Sequence, residues 1–559
     1  MHRVHARVAA KADAATAFVS APEPRTIGVV ARGRQLVAGN FLFSGLLVEG
    51  PHLSIWDIAD QKPEVASEIH GTTWLDDLAA VGGDRARARA QVWVFDWIAR
   101  YGSGKGPGWT PDLVGRRLIR WINHGFFLLR NQDKARSELF FQSLARQMLF
   151  LSRRWKTAAP GLPRFEALAG TIYAGLSLEG MEAHVANAVA ALASDCEAQI
   201  DDEGGIVTRN PEELLEVLTL LNWTVQALQD TGRDTPREIM AAIRRIVPTL
   251  RGLRHADGSL ARFHGGGAGL EGRLDQAFAD SGVKDPPGAG LHMGFARLTS
   301  GRTTLLADAA APPQGAASAR AHASTLGLEV TSGRRPMIVN CGSGARFGDD
   351  WRRASRATPS HSVLGLDGVS SAHLQPGQDF FSKVPTRVLM NQNDPQKIEL
   401  SHNGYQDSHG LTNARILGLS VDGRMLEGED LLTTLDASDE ARFDKAMDQA
   451  KLQGIPFSCR FHLHPDVEAR LEMGDTAVSL TLKSGEVWVF RHDGAATLAL
   501  SPSVYLQNGR LKPVATQQVV LSGRAMSYAT RVRWSLAKAQ DTPDAVRDLV
   551  QADPMDMID

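Results

Sequence analysis

The chain has 559 residues, with 61 Lys and Arg against 63 Asp and Glu and a formal net charge of −2. That length supports two or more domains with cores of their own, and the near balance of charge supplies no basic excess that would point to nucleic acid or an anionic membrane surface, while leaving room for a local basic groove. No apolar run approaches the roughly 20 residues of a membrane helix, and the widely spaced Cys196, Cys341 and Cys459 suit buried thiols rather than a disulfide framework or a metal cluster.

The N-terminus is basic, but Lys11 and Asp13 interrupt the stretch from Ala9 to Ser20. That is a poor signal-peptide core, so the sequence by itself predicts a cytoplasmic chain. Residues 1–83 read as a lead-in of short apolar pieces, with a small strand pair expected between Arg34 and Gly50. From Asp84 the pattern turns helical. Between Ala88 and Tyr101, Val92, Phe95 and Ile98 form the expected inner face, with Trp93 and Trp97 on its flank. Thr110-Pro111-Asp112 reads as an N-cap and first-turn proline for a helix through Asn123. Phe140, Leu144, Met148 and Leu151 repeat at helical spacing, as do Leu214, Leu218, Leu221, Val225 and Leu228. Proline and glycine punctuate this half at helix-hairpin intervals, and helix pairs in series can close into an α/α toroid. Most of the tryptophans lie here or in the lead-in; packing into a core is their commoner fate, and stacking on sugar rings the alternative.

The glycine cluster at His264–Gly269 and the Pro/Gly stretch at Asp285–Gly290 bracket a linker. No Lys-Ser/Thr follows these glycines, so they are not a phosphate loop. Beyond them the periodicity changes to two, with turn signals between short strands, as in a β-sandwich. One helix is expected inside it, from Ala437 to Leu452, and the acidic tail ends in a short helix. The fold expected is therefore α+β and multidomain. It comprises a lead-in at 1–83, an α/α toroid at 84–290, an antiparallel β-sandwich at 291–536 and an acidic tail at 537–559.

The stretch from Arg320 to Gly368 carries the densest set of polar residues at strand edges. Leu326 to Thr331, Met337 to Cys341 and Ser362 to Asp367 read as three strands, with His322, Asn340 and His361 at their ends. If the strands pair as neighbours, the three side chains converge.

These motifs resemble the heparinase II/III family of polysaccharide lyases. The shared order is His322-Ala, Leu326, Glu329, a strand ending in Asn340-Cys341-Gly342, then Trp351-Arg352, Arg356-Ala-Thr358 and His361-Ser362. It continues through Ser401-His-Asn-Gly-Tyr405, Gly428-Glu-Asp430 and Arg460-Phe-His-Leu-His-Pro465, and covers about His292 to Trp534. The resemblance implies an α/α toroid followed by a sandwich, and β-elimination on uronic-acid polysaccharides. That chemistry needs a clamp on the uronate carboxylate, a base for the C5 proton and an acid for the leaving O4. By position it implies His322, His361 and Tyr405 as catalytic groups, and Arg164, Arg209, Asn210 and Arg320 as substrate-binding groups. Some members hold zinc at the positions of His322, Asn340 and His361; a neutral Asn340 weakens such a site, so no cofactor is the main expectation. The Asn-His pair expected near Pro163-Arg-Phe-Glu166 is missing, and so is the tyrosine expected after Gly204-Gly-Ile-Val-Thr-Arg-Asn-Pro211. The leading expectation is a lyase that cleaves an acidic polysaccharide, and the alternative is a catalytically impaired glycan-binding protein that assists polysaccharide assembly or turnover. The family resemblance also implies a cell-envelope location, against the reading of the N-terminus. His462 and His464, on one strand face, are expected as ordinary strand residues.

Overall fold

A computed structural model describes residues 2–9, 15–19, 25–375 and 377–543. The expected tail helix lies outside them. The chain forms two compact units: Met1–Gly204 with Leu215–Val247 and Asp275–Asp285, and Gly205–Leu214 with Pro248–Leu274 and Pro286–Asp559. Two pieces that periodicity assigns to the helical half, 205–214 and 248–274, thus cluster with the sandwich.

The first unit is the α/α toroid, built from helices such as Gly83–Tyr101, Pro111–Asn123, Lys134–Arg154 and Leu162–Ser177. Its core is aromatic. Trp56, Trp74, Trp93, Trp97, Trp109 and Trp121 are each at most 2% exposed, and they meet edge-on, as Trp97 and Trp121 do at 5.3 Å. Buried indole N–H groups need acceptors: Trp56 donates to the Trp93 carbonyl at 2.8 Å and Trp97 to His70 Nδ1 at 3.0 Å. In Gly83–Tyr101 the buried face is Ala86, Ala90, Trp93, Val94 and Trp97, while Val92 is 52% exposed. The tryptophans, not the Val92 row, face inward, because their larger apolar area outweighs the smaller side chains. Helices Pro111–Asn123 and Leu162–Ser177 touch backbone to backbone: a Cβ on Gly115 would stand 2.1 Å from the Glu166 carbonyl oxygen. Thr110 does precede the first of these, but its side chain makes no capping bond. Residues 34–38, expected in a strand, belong to the helix Val30–Ala38; it ends at Gly39, where φ is +95°, and only Asn40–Phe43 and Leu46–Glu49 pair as strands.

The second unit holds the antiparallel sandwich. One sheet runs in the order Val388–Asp394, Lys397–Tyr405, Leu411–Leu419, Met425–Thr433, Ala529–Gln540, Val487–His492, Ala477–Thr481, Glu468–Glu472. The other runs Thr497–Tyr505, Val514–Ala525, Ile455–Leu463, Arg335–Val339, Leu328–Ser332, Thr303–Asp308, Phe295–Ser300. Alternate residues from both sheets fill the core, among them Leu298, Val330, Leu364, Leu417, Phe461, Phe490 and Trp534. The helix Ala437–Gln449 interrupts the strands and is capped by Asp436, whose carboxylate accepts from Asp439 N. Leu328–Ser332 pairs with Arg335–Val339 as expected, but the third strand, Leu364–Leu366, pairs with Ile455–Leu463.

Candidate functional site

The motif residues of the second unit converge on its interior. Arg356, from the Arg-Ala-Thr motif, donates to the carbonyls of Ala321 at 2.8 Å and Ser318 at 2.6 Å. Thr358 donates to the Ala323 carbonyl at 3.0 Å. Together they fix the loop that carries His322. The His322 backbone N–H donates to His264 Nδ1 at 3.2 Å, so neutral His264 carries its proton on Nε2, which faces Asp308 Oδ2 at 3.5 Å. The rings of His322 and His361 stack at 5.1 Å with an interplanar angle of 14°. Neither ring nitrogen of His361 has a hydrogen-bond partner.

Asn340 lies beside them with its amide fully engaged. Its Oδ1 accepts from Ser362 N at 3.0 Å, and its Nδ2 donates to Glu329 Oε1 at 3.4 Å. Glu329 also faces His255 Nε2 at 3.0 Å and accepts from Arg262 N at 3.1 Å. The set His322, Asn340 and His361 does not fit a zinc ion, since its one possible oxygen ligand is neutral and already occupied. Among the described residues no group of three His, Cys, Asp or Glu side chains is arranged to hold a metal.

Burial sets the electrostatics. Desolvation pushes His361 down to about 3 and holds His322 well below the ordinary histidine value, each reinforced by a neighbouring histidine. Both rings are neutral near pH 7, and a base that weak takes little of a C5 proton. Tyr405 is fully buried in the sandwich core, where desolvation raises its hydroxyl above the ordinary range. Its ring belongs to the sandwich core.

The expected carboxylate clamp is also committed elsewhere. Arg209 donates to the carbonyls of Met293, Gly294, Ala310 and Ala311 and to Asp308 Oδ1 at 2.6 Å. Desolvation raises the Asp308 carboxyl, but Arg209 and His264 more than offset it and hold it well below the ordinary range. Ser324 completes the knot, donating to Asp308 Oδ2 at 2.7 Å. Asn210 caps the following helix, accepting from Glu212 N at 3.0 Å and Glu213 N at 3.2 Å. Arg164 donates to the Ala158 carbonyl at 2.9 Å and lies 3.7 Å from Asp195. Of the four expected binding residues Arg320 alone is exposed.

Other motifs are structural ties as well. Asp430 pairs with Arg415 at 2.7 Å and accepts from Trp534 Nε1 at 2.9 Å. His462 faces Ser503 Oγ at 2.7 Å and donates to the Pro359 carbonyl at 3.0 Å. His264, Asp308, Glu329 and His255 are the members of the cluster that sequence reasoning did not assign. The available signals were Glu329 in the shared motif and an acidic residue closing the Thr303–Asp308 strand.

An α/α toroid followed by an antiparallel sandwich with this histidine cluster defines a heparinase-type fold. The chain belongs to the heparinase II/III-like family: residues 283–535 match the family's C-terminal domain model. It is 30% identical to FtsZ-localized protein C of Caulobacter vibrioides, over 93% of this chain and 89% of that protein. Among solved structures it is similar to heparinase III, with a TM-score of 0.66 and 12% identity over 96% of this chain and 89% of that one. It is also similar to a mutant heparan sulfate lyase HepC of Pedobacter heparinus, with a TM-score of 0.58 and 14% identity over 97% and 88%.

Proposed function

We propose that this chain is a non-catalytic member of the family, which recognises an acidic glycan and works where FtsZ assembles. One observation carries the loss of catalysis: every group assigned to proton transfer is buried and neutral, and Arg209 has its donors committed to protein acceptors. β-Elimination needs a base near its working pH and a free cation at the uronate. His361, at about 3, is a poor base. Family membership supports retained glycan recognition, and the printed name of the Caulobacter relative supports the FtsZ association.

The test is a panel of uronic-acid polysaccharides read twice, by binding and by ultraviolet absorbance of the unsaturated product, with co-sedimentation on FtsZ polymers alongside. Binding without product, and pelleting with FtsZ, are expected. Product that disappears in His361→Ala would reinstate the lyase reading.

A further inference from the structure

A cavity of about 430 Å³ opens on the second unit, lined by Ala256, Arg297, Thr299, Gly301, Arg302, Thr304, Gly333 and Arg334. Its walls hold three arginines and no carboxylate. The floor is one face of the Phe295–Ser300 and Thr303–Asp308 strands, where Thr304 stands opposite Thr299; on the next strand Thr331, outside the lining, stands opposite Thr304. Residues directly opposite in an antiparallel pair share a face, and Arg297 shares it with Thr299 two positions along. Thr331 is 2% exposed and its hydroxyl has no partner.

The rim comes from two hairpin turns, Gly301-Arg302 and Gly333-Arg334, tied by Gly333 N donating to the Arg302 carbonyl at 2.7 Å. Gly333, at φ +56°, also leaves room for the Arg302 guanidinium, since a Cβ there would stand 2.4 Å from Arg302 Nη2. Arg297 is the unusual member. It is largely desolvated, donates to the carbonyls of Gly252 at 3.0 Å and Arg254 at 2.7 Å, and makes no ion pair among the described residues. A partly desolvated cation without a counter-charge carries a cost, and an anion in this cavity would supply one. Asp422, whose backbone carbonyl lies against Gly301, has its carboxylate engaged by Ser420 Oγ at 2.6 Å and Arg424 N at 3.0 Å.

We propose that the Arg297–Arg302–Arg334 cavity is an anion subsite that takes a carboxylate or sulfate of an acidic saccharide. The proposal rests on the glycan-recognising reading above and adds where the charge of that glycan is held. Arginine forks match planar and tetrahedral oxyanions. The threonine hydroxyls and the glycine backbone suit the hydroxyls of a sugar, and the lining has no aromatic wall for a base and no apolar surface for an acyl chain beyond Ala256.

The experiment measures binding of an unsulfated polyuronate and of heparin to the full chain by calorimetry, for wild type, Arg334→Glu, Thr304→Val and Arg34→Glu. Arg334→Glu should weaken binding by roughly tenfold or more, because it replaces a charge-assisted bond with repulsion. Thr304→Val keeps the side-chain shape and should weaken it several-fold. Arg34→Glu, an equal change of charge on the other unit, should leave it unchanged. The arm that loses more affinity identifies carboxylate or sulfate as the group held. Wild-type binding matched by Arg334→Glu and Thr304→Val, with folding verified by circular dichroism, overturns the subsite but leaves glycan recognition standing. A wild type that binds neither polymer overturns both.

Discussion

Two arginine sites in the same unit are built on opposite principles. Around Arg209 a buried guanidinium meets four carbonyls and the Asp308 carboxylate, with His264 and Ser324 completing the acceptor's shell. Around Arg297 a part-buried guanidinium meets two carbonyls and, among the described residues, no carboxylate. The first arrangement is closed and holds the Gly205–Leu214 segment to the strands it packs on. In the second, Arg297 has no counter-charge among the described residues, and the cavity opens to solvent beside the exposed Arg334. A family-motif position and the proposed anion position are therefore different places here, and charge satisfaction separates them better than sequence order does.

The largest expected effect comes from breaking the closed site. Asp308→Asn keeps the shape but removes the one counter-charge that Arg209 has among the described residues, and losing one partner of a buried pair costs about 3–5 kcal/mol. Urea denaturation of the two proteins should show that difference. A cost below about 1 kcal/mol would mean that water reaches Arg209, and that the two arginine sites are alike after all.

Next comes the pH response of the histidine pair. The folded value of His361 lies near 3, below its ordinary 6.5. Between these values the unfolded chain binds a proton that the folded chain refuses. Its contribution is thus constant above about pH 6.5, and stability falls as pH drops through the window from 6.5 to about 3. The slope from this one group is about 1.4 kcal/mol per pH unit. His361→Gln should make the stability–pH curve shallower by about one proton in that window. An unchanged slope would show that the ring is protonated in the folded state, and so is available for proton transfer.

A smaller effect tests the cap beside the closed site. Asn210→Ala removes the acceptor for Glu212 N and Glu213 N, which costs about 1 kcal/mol at a helix N-cap. A thermal melt is sufficient to see it. If glycan affinity fell as well while the melt stayed unchanged, Asn210 would be a ligand group and the capping role secondary.

Much of the architecture was legible because it rests on local periodicity. The Leu214 to Leu228 row and the Phe140 to Leu151 row are buried as their spacing requires, and the change from helical to alternating pattern marks where the sandwich begins. The approach of His322 to His361 was legible through the motif that contains both. What sequence order hides is the partner. Arg209 and Asp308 are 99 positions apart and His255 and Glu329 are 74 apart. Nothing local distinguishes an arginine that meets a carboxylate across that distance from one that waits for a ligand. The Gly83–Tyr101 helix failed differently: two apolar faces compete there, and the heavier tryptophan face won.

The smallest expected effect sharpens the comparison most. Arg334 sits in an exposed turn, and charge changes at such positions usually shift stability by no more than about 0.5 kcal/mol. Arg334→Glu should therefore melt like wild type in the absence of anions. Reversing the charge at the rim should also give the uncompensated Arg297 a nearby carboxylate, so any shift in low salt should be slightly stabilising. Salt should then separate the variants. Added sulfate should raise the melting temperature of wild type more than that of Arg334→Glu, because the anion binds the folded cavity of one and is repelled by the other. Equal salt responses in the two proteins would show that the open arginine site holds no anion, and the contrast with Arg209 would reduce to depth alone.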